Sequence, residues 1–168
     1  MNFMLRAFLY WEYNKNIGDI HQIMEELVSM EKIFVQAEVS DWKEAIRAAG
    51  ALLIESGDIE EAYIEDMIRS VNELGPYMVI TKGFALAHAA PCEAVKNNAV
   101  SLINLKDEVE FGSVNDPVKV VMCLACTDKQ SHIENLSKIA KRLMKKDMIA
   151  KLSECKKKEE LYKLINTD

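Results

Sequence analysis

The stretch PVKVVMCLACT, residues 117–127, constrains the fold more than any other part of the chain. Apart from Lys119 it is apolar on both faces, and an extended segment of that kind needs cover on two sides. It therefore reads as a central strand between two helical layers. Tyr77 to Thr81, Phe84 to Ala89 and Ala99 to Leu105 are short apolar runs bounded by turn or polar residues, and these read as strands as well. KIFVQA, residues 32–37, is a further short extended stretch.

Helical periodicity fills the intervals. Asp41 with Glu44 three residues on has the form of a capping box, after which Trp42, Ala45, Ile46, Ala49, Leu52 and Leu53 line one face until Gly57 stops the helix. A second helix from about Ile59 turns Tyr63, Ile64, Met67, Ile68, Val71 and Leu74 inward, and Gly75-Pro76 ends it. Ser131 with Glu134 marks a third start, with Ile133, Leu136, Ile139, Ala140 and Leu143 as its core face. The lysine-rich remainder is helical, ending with Leu161, Leu164 and Ile165. An earlier helix is read from Gly18, with Asp19 at its start and Ile20, Ile23, Met24 and Leu27 on one face. Interleaved helices and strands predict an α/β fold: a three-layer sandwich with a mixed central sheet flanked by helices.

A chain of 168 residues, 49% apolar, can close one sizeable core. No repeat, low-complexity tract or linker divides residues 31–168, which are expected to form one domain, while residues 1–30 read as an N-terminal helical extension. That extension carries Phe3, Leu5, Phe8, Leu9, Tyr10, Trp11 and Tyr13, so packing against the domain and a homodimer contact are both open to it. Its first dozen residues do not read as an export signal, because Arg6 interrupts a short apolar run and no small-residue cleavage site follows. No run approaches the length of a membrane span. Four cysteines without secretory signals read as reduced thiols, which places the chain in a cytoplasm. The balance of 21 basic against 27 acidic residues, net −6, argues against broad affinity for nucleic acid or anionic lipid.

Two histidines are the candidates for chemistry. In an extended reading of Phe84 to His88, residues 84, 86 and 88 share a face, while Ala85, Ala87 and Ala89 leave room for close backbone approach on the other. His88 then stands at a strand end, as a packing residue or as a nucleophile. His132 follows Ser131 in the first turn of a helix after the central strand, where unpaired N–H groups and the positive dipole end favour an anion. Taken alone, it reads as a surface histidine. If the two strand ends adjoin, one histidine can carry a phosphoryl group while the other, with backbone N–H groups, stabilises its charge. Neutral imidazole is nucleophilic near neutrality and its phosphoramidate can pass the group on.

From Gln36 to Ile165 the chain resembles the enzyme IIA domains of the bacterial phosphoenolpyruvate-dependent sugar phosphotransferase system (PTS), in the mannitol/fructose class and closest to the ascorbate type. The stretches that carry the resemblance are QAEVSDWKEAI, ELGPYMVITKGFALAHAAP, LKDEVEFGSVNDPV and CLACTDKQSH. The resemblance implies that His88 accepts a phosphoryl group from the phosphohistidine of HPr and hands it to a cysteine of a IIB component, with His132 supporting the group. It implies no metal and no organic cofactor, and contact with a membrane only indirectly, through the IIC permease. Ala87 stands where family members commonly have proline, and Ala90 where ascorbate-type relatives often carry arginine, which withdraws a cationic partner for phosphate. Some IIA-like modules serve inside transcription regulators, so a phosphorylation-sensing module that controls a protein partner is the alternative reading.

Other signals have quieter readings. Cys123-Leu-Ala-Cys126 has CxxC spacing, yet on a strand the two thiols face opposite ways and no second cysteine pair or histidine cluster completes a zinc site. Cys92 lies near His88 in sequence but lacks a third, orienting residue, and Glu73 at a helix end reads as solvated surface. The basic runs Lys141-Arg142, Lys145-Lys146 and Lys156 to Lys158 read mostly as solvated helix faces.

Overall fold

The computed structural model describes residues 26–167. The strands are β1 (Ile33–Ala37), β2 (Phe84–Ala87), β3 (Ala99–Val109) and β4 (Val118–Ala125), in the spatial order β1-β3-β4-β2. The helices are α1 (Trp42–Glu55), α2 (Glu61–Leu74), α3 (Lys129–Leu143), α4 (Met148–Glu154) and α5 (Lys158–Asn166). β3 and β4 pair antiparallel at the centre, while β1 runs parallel to β3 and β2 parallel to β4. The sheet is mixed, as expected.

β4 has cover on both sides, which its unbroken apolarity demanded. Val121, Cys123 and Ala125 enter a core shared with Ile46, Leu53, Tyr63 and Met67 of α1 and α2. Val120, Met122 and Leu124 enter a second core with Ile139, Leu152 and Leu161 of α3, α4 and α5. Each layer is also keyed to the sheet by a buried polar side chain. Ser101 donates its hydroxyl to the Ala49 carbonyl at 2.6 Å, and Asn104 donates its amide to the carbonyls of Leu152 and Cys155 at 2.8 and 2.7 Å. A buried polar group needs such partners, so these bonds select one docking of helix on strand.

A local rule accounts for the start of α1. The Asp41 carboxylate accepts the Glu44 N–H at 2.9 Å, which meets a donor the helix leaves orphaned, and the Glu44 carboxylate accepts the N–H of Ser40 just before the cap at 2.7 Å. Gly50 sits where a Cβ would lie 2.7 Å from the Ile64 side chain, so the missing methyl lets α1 and α2 approach. At the domain's entry, Asn166 accepts the N–H groups of Leu27 and Val28 at 2.7 and 3.1 Å and donates to the Val28 carbonyl at 2.8 Å. The helix read from Gly18 falls largely outside the described residues.

Several expectations are corrected. Tyr77 to Thr81 is not a strand: Tyr77 N–H bonds the Gly75 carbonyl at 2.9 Å and Val79 N–H that of Pro76 at 3.2 Å, so turns take up its backbone groups. β2 ends at Ala87 and β3 runs on to Val109. α2 begins at Glu61, because Ile59 pairs with Val95 in an isolated bridge. Leu74 and Ile133, both read as inward, are 74% and 43% exposed, Leu74 being the last residue of α2.

Candidate functional site

The parallel pairing of β2 with β4 makes the site. Its last register pair is Ala87 with Cys123, so His88 emerges beside the end of β4, from which the chain turns into α3. The rings of His88 and His132 thereby come to 5.6 Å between centroids. α3 starts earlier than the Ser131 cap predicts. Asp128 is the N-cap, and its carboxylate accepts both the N–H and the hydroxyl of Ser131 at 2.8 Å. Ser131 is thus inside the first turn, and Glu134 accepts a hydrogen bond from Gln130 instead of returning to the cap. Thr127 N–H bonds the Asn98 side chain at 2.8 Å, anchoring the turn between β4 and α3.

His88 Nδ1 lies 2.7 Å from the Leu86 carbonyl. A carbonyl can only accept, so Nδ1 carries the proton and Nε2 keeps its lone pair. Burial holds the His88 pKa below the ordinary histidine range and His132 adds to this, against the opposing pull of the Leu86 carbonyl. Burial likewise lowers the His132 pKa. Both rings are therefore mostly neutral at pH 7. His132 Nε2 is buried and makes no hydrogen bond. A buried polar atom without a partner is rare enough in folded proteins to point to function.

Two tyrosines frame His88, and sequence reasoning missed both. Tyr63, read only as core, is fully buried; its hydroxyl donates to the Leu124 carbonyl at 2.8 Å and accepts the Ala89 N–H at 3.0 Å. One atom thus ties the chain after His88 to the end of β4. Tyr77, read as strand, donates its hydroxyl to the His88 carbonyl at 3.0 Å and sets its ring edge-to-face with the imidazole, 5.3 Å between centroids. Its place in the Gly-Pro-Tyr turn was the available signal.

The rival groups do not join this site. Cys123 and Cys126 enter opposite cores, and burial pushes their thiols up to about 12 and about 11. Cys92 contacts the Asp66 carboxylate at 3.8 Å, and Glu73 is exposed, with Leu86 rather than any carboxylate orienting His88. Among the described residues no group of three histidine, cysteine or acidic side chains could hold a metal, and no helix is long and apolar enough to cross a membrane.

A mixed sheet between two helical layers in this arrangement is the fold of a known class. Residues 26–168 match the family model described as "Phosphoenolpyruvate-dependent sugar phosphotransferase system, EIIA 2", and the chain belongs to this family of phosphotransferase proteins. It is 31% identical over 147 residues to the ascorbate-specific PTS system EIIA component of Escherichia coli K12, covering 86% of this chain and 96% of that relative. Among solved structures it is similar to the mannitol-specific cryptic phosphotransferase enzyme IIA CmtB of Escherichia coli, with a TM-score of 0.78, 26% identity, and coverage of 86% of this chain and 99% of that one. A likeness of fold extends to a chain in the complex of enzyme IIAMtl with phosphorylated enzyme IIBMtl from Escherichia coli, with a TM-score of 0.73, 23% identity, and coverage of 82% and 96%.

Proposed function

We propose that the chain is a cytoplasmic phosphocarrier whose His88 accepts a phosphoryl group from phospho-HPr and passes it to a cysteine of a IIB component during uptake of an ascorbate-like sugar. The observation that carries this reading is the state of the two rings. Nδ1 of His88 is committed to the Leu86 carbonyl, which leaves Nε2 as the nucleophile, and a partnerless buried nitrogen of His132 stands alongside.

In the accepting step the Nε2 lone pair attacks phosphorus, the donor's P–N bond breaks, and the donor imidazole keeps that electron pair. The Nδ1 proton stays on His88, and the Leu86 carbonyl stabilises the positive ring that results. His132, with its proton on Nε2, donates to a phosphoryl oxygen and so gains the partner it lacks in the resting protein. The forward step runs the same way, with a thiolate as attacking group and His88 recovering its lone pair. Phosphoryl transfer asks for positioning and charge stabilisation, which this arrangement can supply without a cofactor. The ascorbate-specific relative and the IIA–IIB complex among the fold neighbours support the choice of sugar class and partner. Contact with the membrane would be indirect, through IIC.

The test is incubation with phosphoenolpyruvate, enzyme I and HPr, read by intact mass, with His88→Ala and His132→Ala in parallel. An acid-labile adduct on the parent and none on His88→Ala is expected. An unlabelled parent beside demonstrably active HPr defeats the proposal. A label on His88 that a IIB thiol fails to discharge favours the regulatory alternative.

A further inference from the structure

We infer that Tyr77 is a positioning residue for His88, holding its imidazole with Nδ1 on the Leu86 carbonyl and Nε2 free. The inference deepens the phosphocarrier reading and rests on it for the kinetic part only.

Nδ1–H on the Leu86 carbonyl defines the tautomer only while the ring stays in that plane, and one hydrogen bond by itself leaves the ring free to turn away from it. Two contacts from Tyr77 restrict that freedom. Its ring stands at 89° to the imidazole in an edge-to-face pair, a preferred aromatic geometry that turning the imidazole out of its plane, away from the Leu86 carbonyl, would disturb. Its hydroxyl donates to the carbonyl of the same residue, so ring and main chain of His88 are held by one side chain.

Tyr77 is itself well anchored. The turn that presents it is closed by its own N–H on the Gly75 carbonyl, and Leu86 N–H bonds the Met78 carbonyl at 2.8 Å, which ties that turn to β2. Gly75 takes a positive φ of 84°, a conformation that glycine adopts freely, and this sends the chain from α2 into the turn. Burial raises the phenol's pKa, so the group remains a donor throughout the neutral range. Tyr77 keeps 38% of its surface exposed, so it also lies where a docking partner can touch it. The test must separate positioning from docking.

Tyr77→Phe, Tyr77→Leu and Tyr77→Met are compared with the parent in the full chain, each checked for cooperative unfolding. Nitrogen-15 spectra of the unphosphorylated imidazoles, with His88 assigned from His88→Ala, report the tautomer. The parent and Tyr77→Phe should show a single Nδ1–H species, and the Leu and Met variants a mixture. With phospho-HPr as donor, the Leu and Met variants should lose about tenfold in kcat, the size an aromatic pair sustains, with KM unchanged. Tyr77→Phe should stay within about threefold, the low end for a hydrogen bond that solvent can reach. A parent-like tautomer in Tyr77→Leu and Tyr77→Met overturns the assignment, as does a defect confined to KM, which would make Tyr77 a docking residue. If the parent takes no phosphoryl group, the phosphocarrier reading falls, and the tautomer spectra still decide the role of Tyr77.

Discussion

Replacing His132 with leucine should separate the resting protein from the phosphorylated one. In the resting state Nε2 is buried and unpartnered, and an unmet buried polar group costs about 1–3 kcal/mol. Leucine fills comparable space and needs no partner. Because the His132 side chain is only half-buried, the gain is discounted, and the variant should match the parent or exceed it by up to about 1 kcal/mol. Once His88 carries a phosphoryl group the balance reverses. The donated bond from His132 then has a charged acceptor, a class worth about 1.5–3 kcal/mol. Its loss should shift the phosphorylation equilibrium against His88 by about 10- to 150-fold, at 1.36 kcal/mol per factor of ten. Urea unfolding of the unphosphorylated variant measures the first quantity, and the labelled fraction at equilibrium with phospho-HPr, by intact mass, measures the second. A resting protein weakened by more than about 1 kcal/mol, together with an unchanged equilibrium, would refute the assignment of that nitrogen to the phosphoryl group.

Tyr63→Phe strands the Ala89 N–H and the Leu124 carbonyl and should cost about 1–3 kcal/mol in urea unfolding, with slower labelling of His88 because the strand ends come loose. Both histidines titrate below the ordinary value of 6.5 in the folded protein, so as pH falls the unfolded chain takes up protons first. Their contribution to stability is complete above that value and is lost as pH drops through the folded pKa values. Urea midpoints of the parent should accordingly decline more steeply from about pH 7.5 to about pH 5 than those of a His88→Gln/His132→Gln double variant. A thiol reagent should modify native Cys92 first and reach Cys123 and Cys126, held at about 12 and about 11, only on unfolding; rapid joint oxidation of that pair would revive a redox reading.

What the sequence determined by itself lies within a few residues of itself. Asp41 and Glu44 cap a helix because carboxylate and N–H meet inside one turn, and the apolarity of β4 on both faces requires two helical layers whatever the connections. The family resemblance pointed to His88 and His132, and residue spacing alone allowed them only conditionally. Only the tertiary structure decided where distant backbone groups find partners. Tyr77 to Thr81 is apolar enough for a strand, yet its own turns, the Leu86 N–H on the Met78 carbonyl and the Asn115 side chain, which donates to the Val79 carbonyl, take up its bonding groups. Asp128 and Ser131 can each cap a helix, and the choice fell to the extended backbone of Asp128, with φ −151° and ψ 168°, where β4 ends. Tyr63 looks like any inward aromatic until β2 and β4 lie side by side and offer its hydroxyl a carbonyl and an amide. That same parallel pairing carries His88 to His132, since a strand register can join residues remote in the chain and no local pattern records it.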